Sequence, residues 1–300
     1  MSELCYACPR RCGAARGENS PAGVCASPSL PVVVRAAPHF GEEPCISGPR
    51  GSGAVFFSGC SLRCVFCQNR EISRSTARGR TVTAEELRDI LLSLQEQGVH
   101  NINLVTPTHF TLAIRRALEL AKLTVPVVWN SSGYESVDTL KTLEGLVQVY
   151  MPDYKYALSE PARRYSGAED YPSVALAAIR EMFRQRGNYE LDGEGLLRSG
   201  VLIRHLMLPG QTENTMEVID RVAESFPRGS VLFSLMSQYT PMGELPRFPE
   251  LSERIDPATN EHMIRYMLRC GITEGYTQEV IAATEEMIPA FDGTGVERGR

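Results

Sequence analysis

Short apolar runs alternate with amphipathic stretches along most of the chain. Ala54–Ser58, Asn101–Val105, Val125–Trp129, Val147–Met151, Val201–Leu208 and Val231–Met236 are brief and rich in β-branched or aromatic residues, and each reads as a strand. Between them apolar residues recur at helical spacing. Thr83-Ala-Glu-Glu86 is a capping box ahead of Leu87, Ile90, Leu91 and Leu94, and Gly98 stops that helix. Ile114, Ala117, Leu118 and Ala121 mark the next stripe. Further helix signals lie at Ser136–Leu143, at Val174–Met182 behind a Ser173 cap, and at Asn214–Phe226. Gly187–Gly200 holds four glycines and reads as a loop. Asp256-Pro257 opens a last helix.

About six βα units in series predict a parallel sheet with right-handed crossovers. The pattern fits a partial (β/α)6 TIM-like barrel, with an open doubly wound sheet as the competing arrangement. The domain expectation is a cysteine-rich head over 1–27, a connector over 28–52, the barrel over 53–250 and a C-terminal helical extension over 251–300. The connector carries five prolines and one short extended run at Val32–Val34.

Barrel chemistry sits where strands end. The strand ends here read Cys60, Thr106-Pro-Thr-His109, Asn130-Ser-Ser-Gly133, Asp153-Tyr-Lys155, Arg204-His205 and Gln238-Tyr239. Hydroxyls, amides, one carboxylate and cations in that setting suit an amino-acid-like ligand. His109, Gln238 and Tyr239 are the candidates for substrate contact or proton transfer. Tyr150, Tyr154, Tyr156, Tyr165 and Tyr171 crowd the fourth unit and read as packing. Arg70, Arg74, Arg78 and Arg80 read as a solvated loop, with docking of an acidic partner as the sharper alternative.

Composition adds constraints. The chain has 300 residues, 43% hydrophobic and 22% charged, with 31 basic and 36 acidic residues and a net charge of −5. That balance argues against a general nucleic-acid grip. No run approaches a membrane span and no apolar leader is visible, so the expectation is a soluble, cytoplasmic protein.

The nine cysteines change the picture most. They fall at 5, 8, 12, 25, 45, 60, 64, 67 and 270. An odd count without a secretion signal disfavours a disulfide framework and favours thiolate ligands. Cys60-x3-Cys64-x2-Cys67 places three thiols on the loop after the first strand. Three thiolates can hold three irons of a [4Fe–4S] cluster and leave the fourth iron open. Cys5, Cys8, Cys12 and Cys25 offer four thiolates, which suit zinc, mononuclear iron or a closed iron–sulfur cluster. Cys45 and Cys270 have no spaced partner and read as structural thiols.

Cys-x3-Cys-x-aromatic-Cys after the first strand of a βα series resembles the radical S-adenosylmethionine (SAM) superfamily. Ser58-Gly-Cys-Ser-Leu-Arg-Cys-Val-Phe-Cys-Gln-Asn69 is similar to the activating enzymes of glycyl-radical proteins such as pyruvate formate-lyase. The whole chain looks most like the branch with an N-terminal cysteine-rich head. The resemblance implies a [4Fe–4S] cluster on Cys60, Cys64 and Cys67. It implies SAM chelated to the open iron, and one-electron cleavage to methionine and a 5′-deoxyadenosyl radical that abstracts a substrate hydrogen. It implies reduced flavodoxin or ferredoxin as electron donor. By motif match, Asp153, Lys155, Arg204, Asn130 and Ser132 would contact SAM. The second strand departs from the family pattern: Leu104-Val-Thr-Pro-Thr-His109 stands where a Gly-Gly-Glu-like run usually holds the cofactor's amine, leaving the backbone, Thr106 or Thr108 to serve. Three functions follow. The first is activation of a glycyl-radical protein. The second is radical chemistry on a small molecule or another macromolecule. The third is a metal-binding redox module without turnover.

Overall fold

The computed structural model describes residues 4–74, 79–278 and 289–296. The head holds a small antiparallel pair, β1 (Leu4–Cys5) and β2 (Ala14–Ala15). Then come β3 (Val32–His39), α1 (Pro44–Ser47), β4 (Ser52–Phe57), α2 (Arg70–Ser73), β5 (Arg80–Thr81), α3 (Ala84–Glu96) and β6 (Ile102–Val105). They are followed by α4 (Thr111–Ala121), β7 (Val127–Ser131), α5 (Val137–Lys141), β8 (Val149–Pro152), α6 (Ser159–Ser166) and α7 (Tyr171–Arg186). The last elements are β9 (Glu190–Leu191), β10 (Leu197–Leu206), α8 (Thr212–Ser225), β11 (Leu232–Met236), α9 (Pro257–Arg269) and β12 (Gly275–Thr277).

The main sheet runs β12-β11-β10-β8-β7-β6-β4-β3-β5, with β9 paired to β10. Neighbours from β4 to β12 are parallel, and β3 is antiparallel to both β4 and β5. This is an α/β fold on a curved, mostly parallel sheet, a partial barrel that does not close among the described residues. Two strands exceed the sequence expectation. The supposed connector forms an eight-residue strand paired antiparallel with β4, with Pro38 opposite Gly53. A seventh parallel strand follows the last helix, in register Phe233 to Gly275, so residues 251–300 are not purely helical. Gly187–Gly200 folds into the β9–β10 hairpin, and α7 starts at Tyr171 with Pro172 in its first turn, leaving Ser173 inside rather than at the cap.

The capping box is present: the Thr83 N–H donates to Glu86 Oε2 (2.9 Å) and the Glu86 N–H to Thr83 Oγ1 (3.2 Å). Asp256 caps α9 by accepting from the Thr259 N–H at 2.9 Å. Strands β4, β6, β7 and β8 are buried along their whole length, as parallel strands covered on both faces must be. Alternate residues point outward and inward. Val55, Leu104, Trp129 and Ile203 meet the helices through Leu87, Ile114, Ile179 and Val218. Val128, Met151 and Leu202 face inward and pack on Cys45 and Ile46 of α1. Each such side chain contributes roughly 1.5–3 kcal/mol of burial. The pairing of His39 with Ser52 puts the end of β3 at the start of β4, so α1 plugs the barrel at the end opposite the strand C-termini.

Candidate active site

The first parallel strand ends at Phe57, and the chain turns at Ser58-Gly59 into the cysteine loop. Gly59 has φ +83°. A Cβ there would collide with the Ser27 hydroxyl and stand 2.8 Å from the Cys25 carbonyl and 3.1 Å from His109 Nε2, so only glycine fits. The loop's three thiols line one cavity of about 250 Å³, and each sulfur accepts a hydrogen bond. The Leu62 N–H donates to Cys60 Sγ (3.4 Å), the Ser166 hydroxyl to Cys64 Sγ (3.0 Å) and the Ser73 hydroxyl to Cys67 Sγ (3.5 Å). Burial and the neighbouring thiols push Cys60 well above the ordinary thiol range, and burial pushes Cys64 up as well. Metal loading would therefore displace protons. Phe66, the aromatic before the last cysteine, is buried and meets the Tyr239 ring edge-on at 6.4 Å.

Across the cavity stand the polar strand ends. Asp153 accepts from Lys155 Nζ (2.5 Å) and pairs with Arg204 Nη2 (3.0 Å). Burial opposes its charge, but the two cations outweigh that and hold its carboxyl below its ordinary 3.8. Burial likewise opposes the charge on Lys155, and Asp153 raises it above 10.5. Arg204 Nη2 also donates to Asn130 Oδ1 (2.7 Å). Gly133, with φ +72°, passes so close to the Asp153 carbonyl that a Cβ would clash. Tyr171 locks this corner: its hydroxyl lies 2.7 Å from the Ser132 carbonyl, 2.8 Å from that of Asp153, and accepts from the Lys155 N–H at 2.9 Å. Thr106 lines the cavity in the left-handed region, φ +60°, a conformation a β-branched residue adopts only under constraint.

Sequence reasoning missed Glu42. It rises from the plug between β3 and α1 into the same cavity. Its carboxylate accepts from Arg204 (3.0 Å), Asn103 (3.0 Å) and Asn130 (3.1 Å). Glu43 beside it is buried, with Oε2 3.9 Å from Arg204 and no hydrogen-bond partner, and burial pushes its carboxyl up. No spacing rule ties residue 42 to residue 204, so only the fold could bring them together.

The strand-end candidates separate. Gln238 lines the cavity, its Oε1 buried without a partner. Tyr239 is buried beside it and donates to the Leu251 carbonyl at 2.6 Å. His109 stands behind the cysteine loop rather than in the cavity. Its Nε2 lies 2.8 Å from the Ser58 carbonyl and burial drops its pKa to about 3, so it is a neutral brace. Arg70 and Arg74 bond the carbonyls of Met242 and Cys64, and Arg80 pairs with Glu86; Arg78 lies outside the described residues. The five tyrosines are buried and Cys45 is buried against the plug.

The head lies against the back of the cysteine loop. Arg16 donates to the His109 carbonyl (2.7 Å), Arg63 to the Val24 carbonyl (3.2 Å), and Thr139 to the Ala7 carbonyl (2.9 Å). Cys8 and Cys25 are buried, Cys5 half-buried and Cys12 exposed. Among the described residues no three His, Cys, Asp or Glu side chains converge at single-ion spacing, in the head or the cavity.

Comparison with known proteins decides the family. The family model of the radical SAM superfamily matches residues 54–223, more than half the chain. The chain belongs to the radical SAM superfamily. It is thus an enzyme of a family that works with a [4Fe–4S] cluster and SAM. It is 28% identical over 226 residues to the uncharacterized protein MJ0674 of Methanocaldococcus jannaschii, covering 72% of this chain and 61% of that one. The fold is similar to that of Streptococcus suis SuiB, solved bound to its precursor peptide SuiA, with TM-score 0.52 and 16% identity over 77% of this chain and 49% of SuiB. A domain of pyruvate-formate lyase-activating enzyme from Bacteroides vulgatus aligns at TM-score 0.37 and 14% identity, over 65% of this chain and 91% of that domain. The described residues contain no helix long and apolar enough to cross a membrane. The cavity fits the radical SAM cofactors: three thiols, each with a hydrogen-bond donor, face an anionic and cationic set suited to a zwitterionic ligand.

Proposed function

We propose that this radical SAM enzyme cleaves SAM reductively and uses the radical to activate a glycyl-radical protein. One observation carries the reading: Cys60, Cys64 and Cys67 share one cavity with Asp153, Lys155 and Arg204. When bound, the cluster and SAM would together supply reductive cleavage of the sulfonium C–S bond and a 5′-deoxyadenosyl radical for hydrogen abstraction. The chain's own groups do the rest. Cys60, Cys64 and Cys67 would hold three irons, leaving one for the cofactor. Asp153, Lys155, Asn130 and Ser132 would orient SAM, with Arg204 fixed between Asp153 and Glu42. Thr106 would offer its backbone and hydroxyl where the family's second strand usually brings a carboxylate. Reduced flavodoxin or ferredoxin would supply the electron. Cys5, Cys8, Cys12 and Cys25 would hold a second metal, zinc or iron–sulfur.

Glycyl-radical activation is supported by the Cys67-Gln-Asn69 loop ending and by the unclosed sheet, which leaves room for a polypeptide. Radical chemistry on a small molecule or another macromolecule is the second reading. The test is anaerobic reconstitution with dithionite and SAM. Formation of 5′-deoxyadenosine by the wild type and none by Cys60→Ala supports SAM cleavage; equal yields from both contradict it. A glycyl-radical electron paramagnetic resonance (EPR) signal in a candidate partner protein would support the activating role.

A further inference from the structure

Among the contacts between head and cysteine loop, those of Arg10 bond both the loop and the helix behind it. Arg10 Nε donates to the Ser61 carbonyl (2.9 Å), one residue past Cys60. Its Nη1 and Nη2 donate to the carbonyls of Gly167 (2.5 Å) and Ser166 (3.2 Å), at the C-terminal end of α6. A helix end carries unpaired carbonyls and a partial negative charge, so a guanidinium there satisfies both. Ser166 is buried, and its hydroxyl donates to Cys64 Sγ at 3.0 Å. The same helix end holds the loop again, since the Val65 N–H donates to the Tyr165 carbonyl at 2.9 Å. Arg10 therefore spans the loop at Ser61 and the helix that caps Cys64. Its guanidinium lies 5.2 Å from the Tyr134 ring centroid, which fixes its plane.

We propose that Arg10 is a positioning residue of the cluster: it sets the Ser166 hydroxyl on Cys64 and holds the Cys60–Cys64 span at cluster width. This rests on reading Cys60, Cys64 and Cys67 as the cluster ligands. The head then acts as a brace for the radical site whatever metal it carries. Lysine cannot replace the guanidinium fork, because one ammonium cannot reach three carbonyls in different directions.

The test uses the full reconstituted chain without substrate. Iron release to bathophenanthroline and the EPR spectrum of the dithionite-reduced cluster are measured. Arg10→Ala and Ser166→Ala should each speed iron release about 10-fold and change the EPR line shape, as lost outer-shell hydrogen bonds do. Arg10→Lys should fall between. The double variant should release iron no faster than the quicker single one, because both act through the same bond. Thr139→Ala removes another head contact away from the loop and should behave like wild type. Wild-type release in Arg10→Ala, multiplied effects in the double variant, or an equal effect from Thr139→Ala would each overturn the proposal. If Cys60→Ala itself keeps wild-type iron and EPR, the ligand assignment fails instead.

Discussion

The two cysteine groups differ in what surrounds them. In the barrel group every sulfur has a hydrogen-bond donor, and the facing wall holds two cations, two carboxylates and an amide in one network. In the head the thiols range from buried to exposed; Arg16 donates to Cys5 Sγ (3.4 Å), while Arg10 and Arg16 otherwise bond backbone carbonyls, and no such wall of ion pairs faces the head thiols among the described residues. The barrel thiols open onto a cavity with a charged wall, and the head group is fastened to the loop behind them. Spaced thiols alone would at most suit a metal, whereas a charged wall across a shared cavity also suits a ligand.

The largest effect separates the groups directly. Cys60→Ala should abolish 5′-deoxyadenosine formation, whereas Cys5→Ala/Cys8→Ala should keep it within about 10-fold. Product assay and metal content, run together, break the contrast if the head variant is equally dead. Next, Asp153→Asn leaves Lys155 and Arg204 as adjacent buried cations. SAM affinity should fall about 100-fold in equilibrium dialysis, near 3 kcal/mol.

His109 lies at the junction of the two regions. Its folded pKa is about 3, below the ordinary 6.5, so below pH 6.5 the unfolded chain binds a proton that the native one refuses. Stability should therefore fall from pH 6.5 downward by up to about 1.4 kcal/mol per unit, roughly 2 kcal/mol by pH 5. His205, with its pKa lowered to about 4, adds to this. Urea midpoints for wild type and His109→Gln at pH 7 and pH 5 check the claim, since the variant's acid loss should be smaller. Glu42→Gln should weaken SAM binding about 10-fold by loosening Arg204, with cluster content unchanged. Thr83→Ala lies outside both regions and should cost about 1 kcal/mol of stability alone, setting the scale of a purely structural loss.

Much of this was legible in sequence. The Thr83–Glu86 box, the βα alternation and the cysteine spacing each act over a few residues, where local geometry decides. The strand ends Asn130, Ser132, Asp153, Lys155 and Arg204 followed once strands were placed, because barrel topology brings their ends together. Other features depended on long-range packing. Residues 32–39 became a strand only because β4 offered an edge, and β12 is too short to show a period of its own. Glu42 reached Arg204 through the plug, 162 residues apart in sequence. His109 sat at a strand end by sequence, yet the head and the cysteine loop enclosed it.

On the reading proposed above, Cys60, Cys64 and Cys67 would hold a cluster with one iron open to SAM. EPR of the reduced, reconstituted protein with and without SAM tests it most directly. SAM should change the cluster signal in the wild type and in Cys5→Ala/Cys8→Ala. A cluster signal that SAM leaves unchanged in the wild type would contradict it.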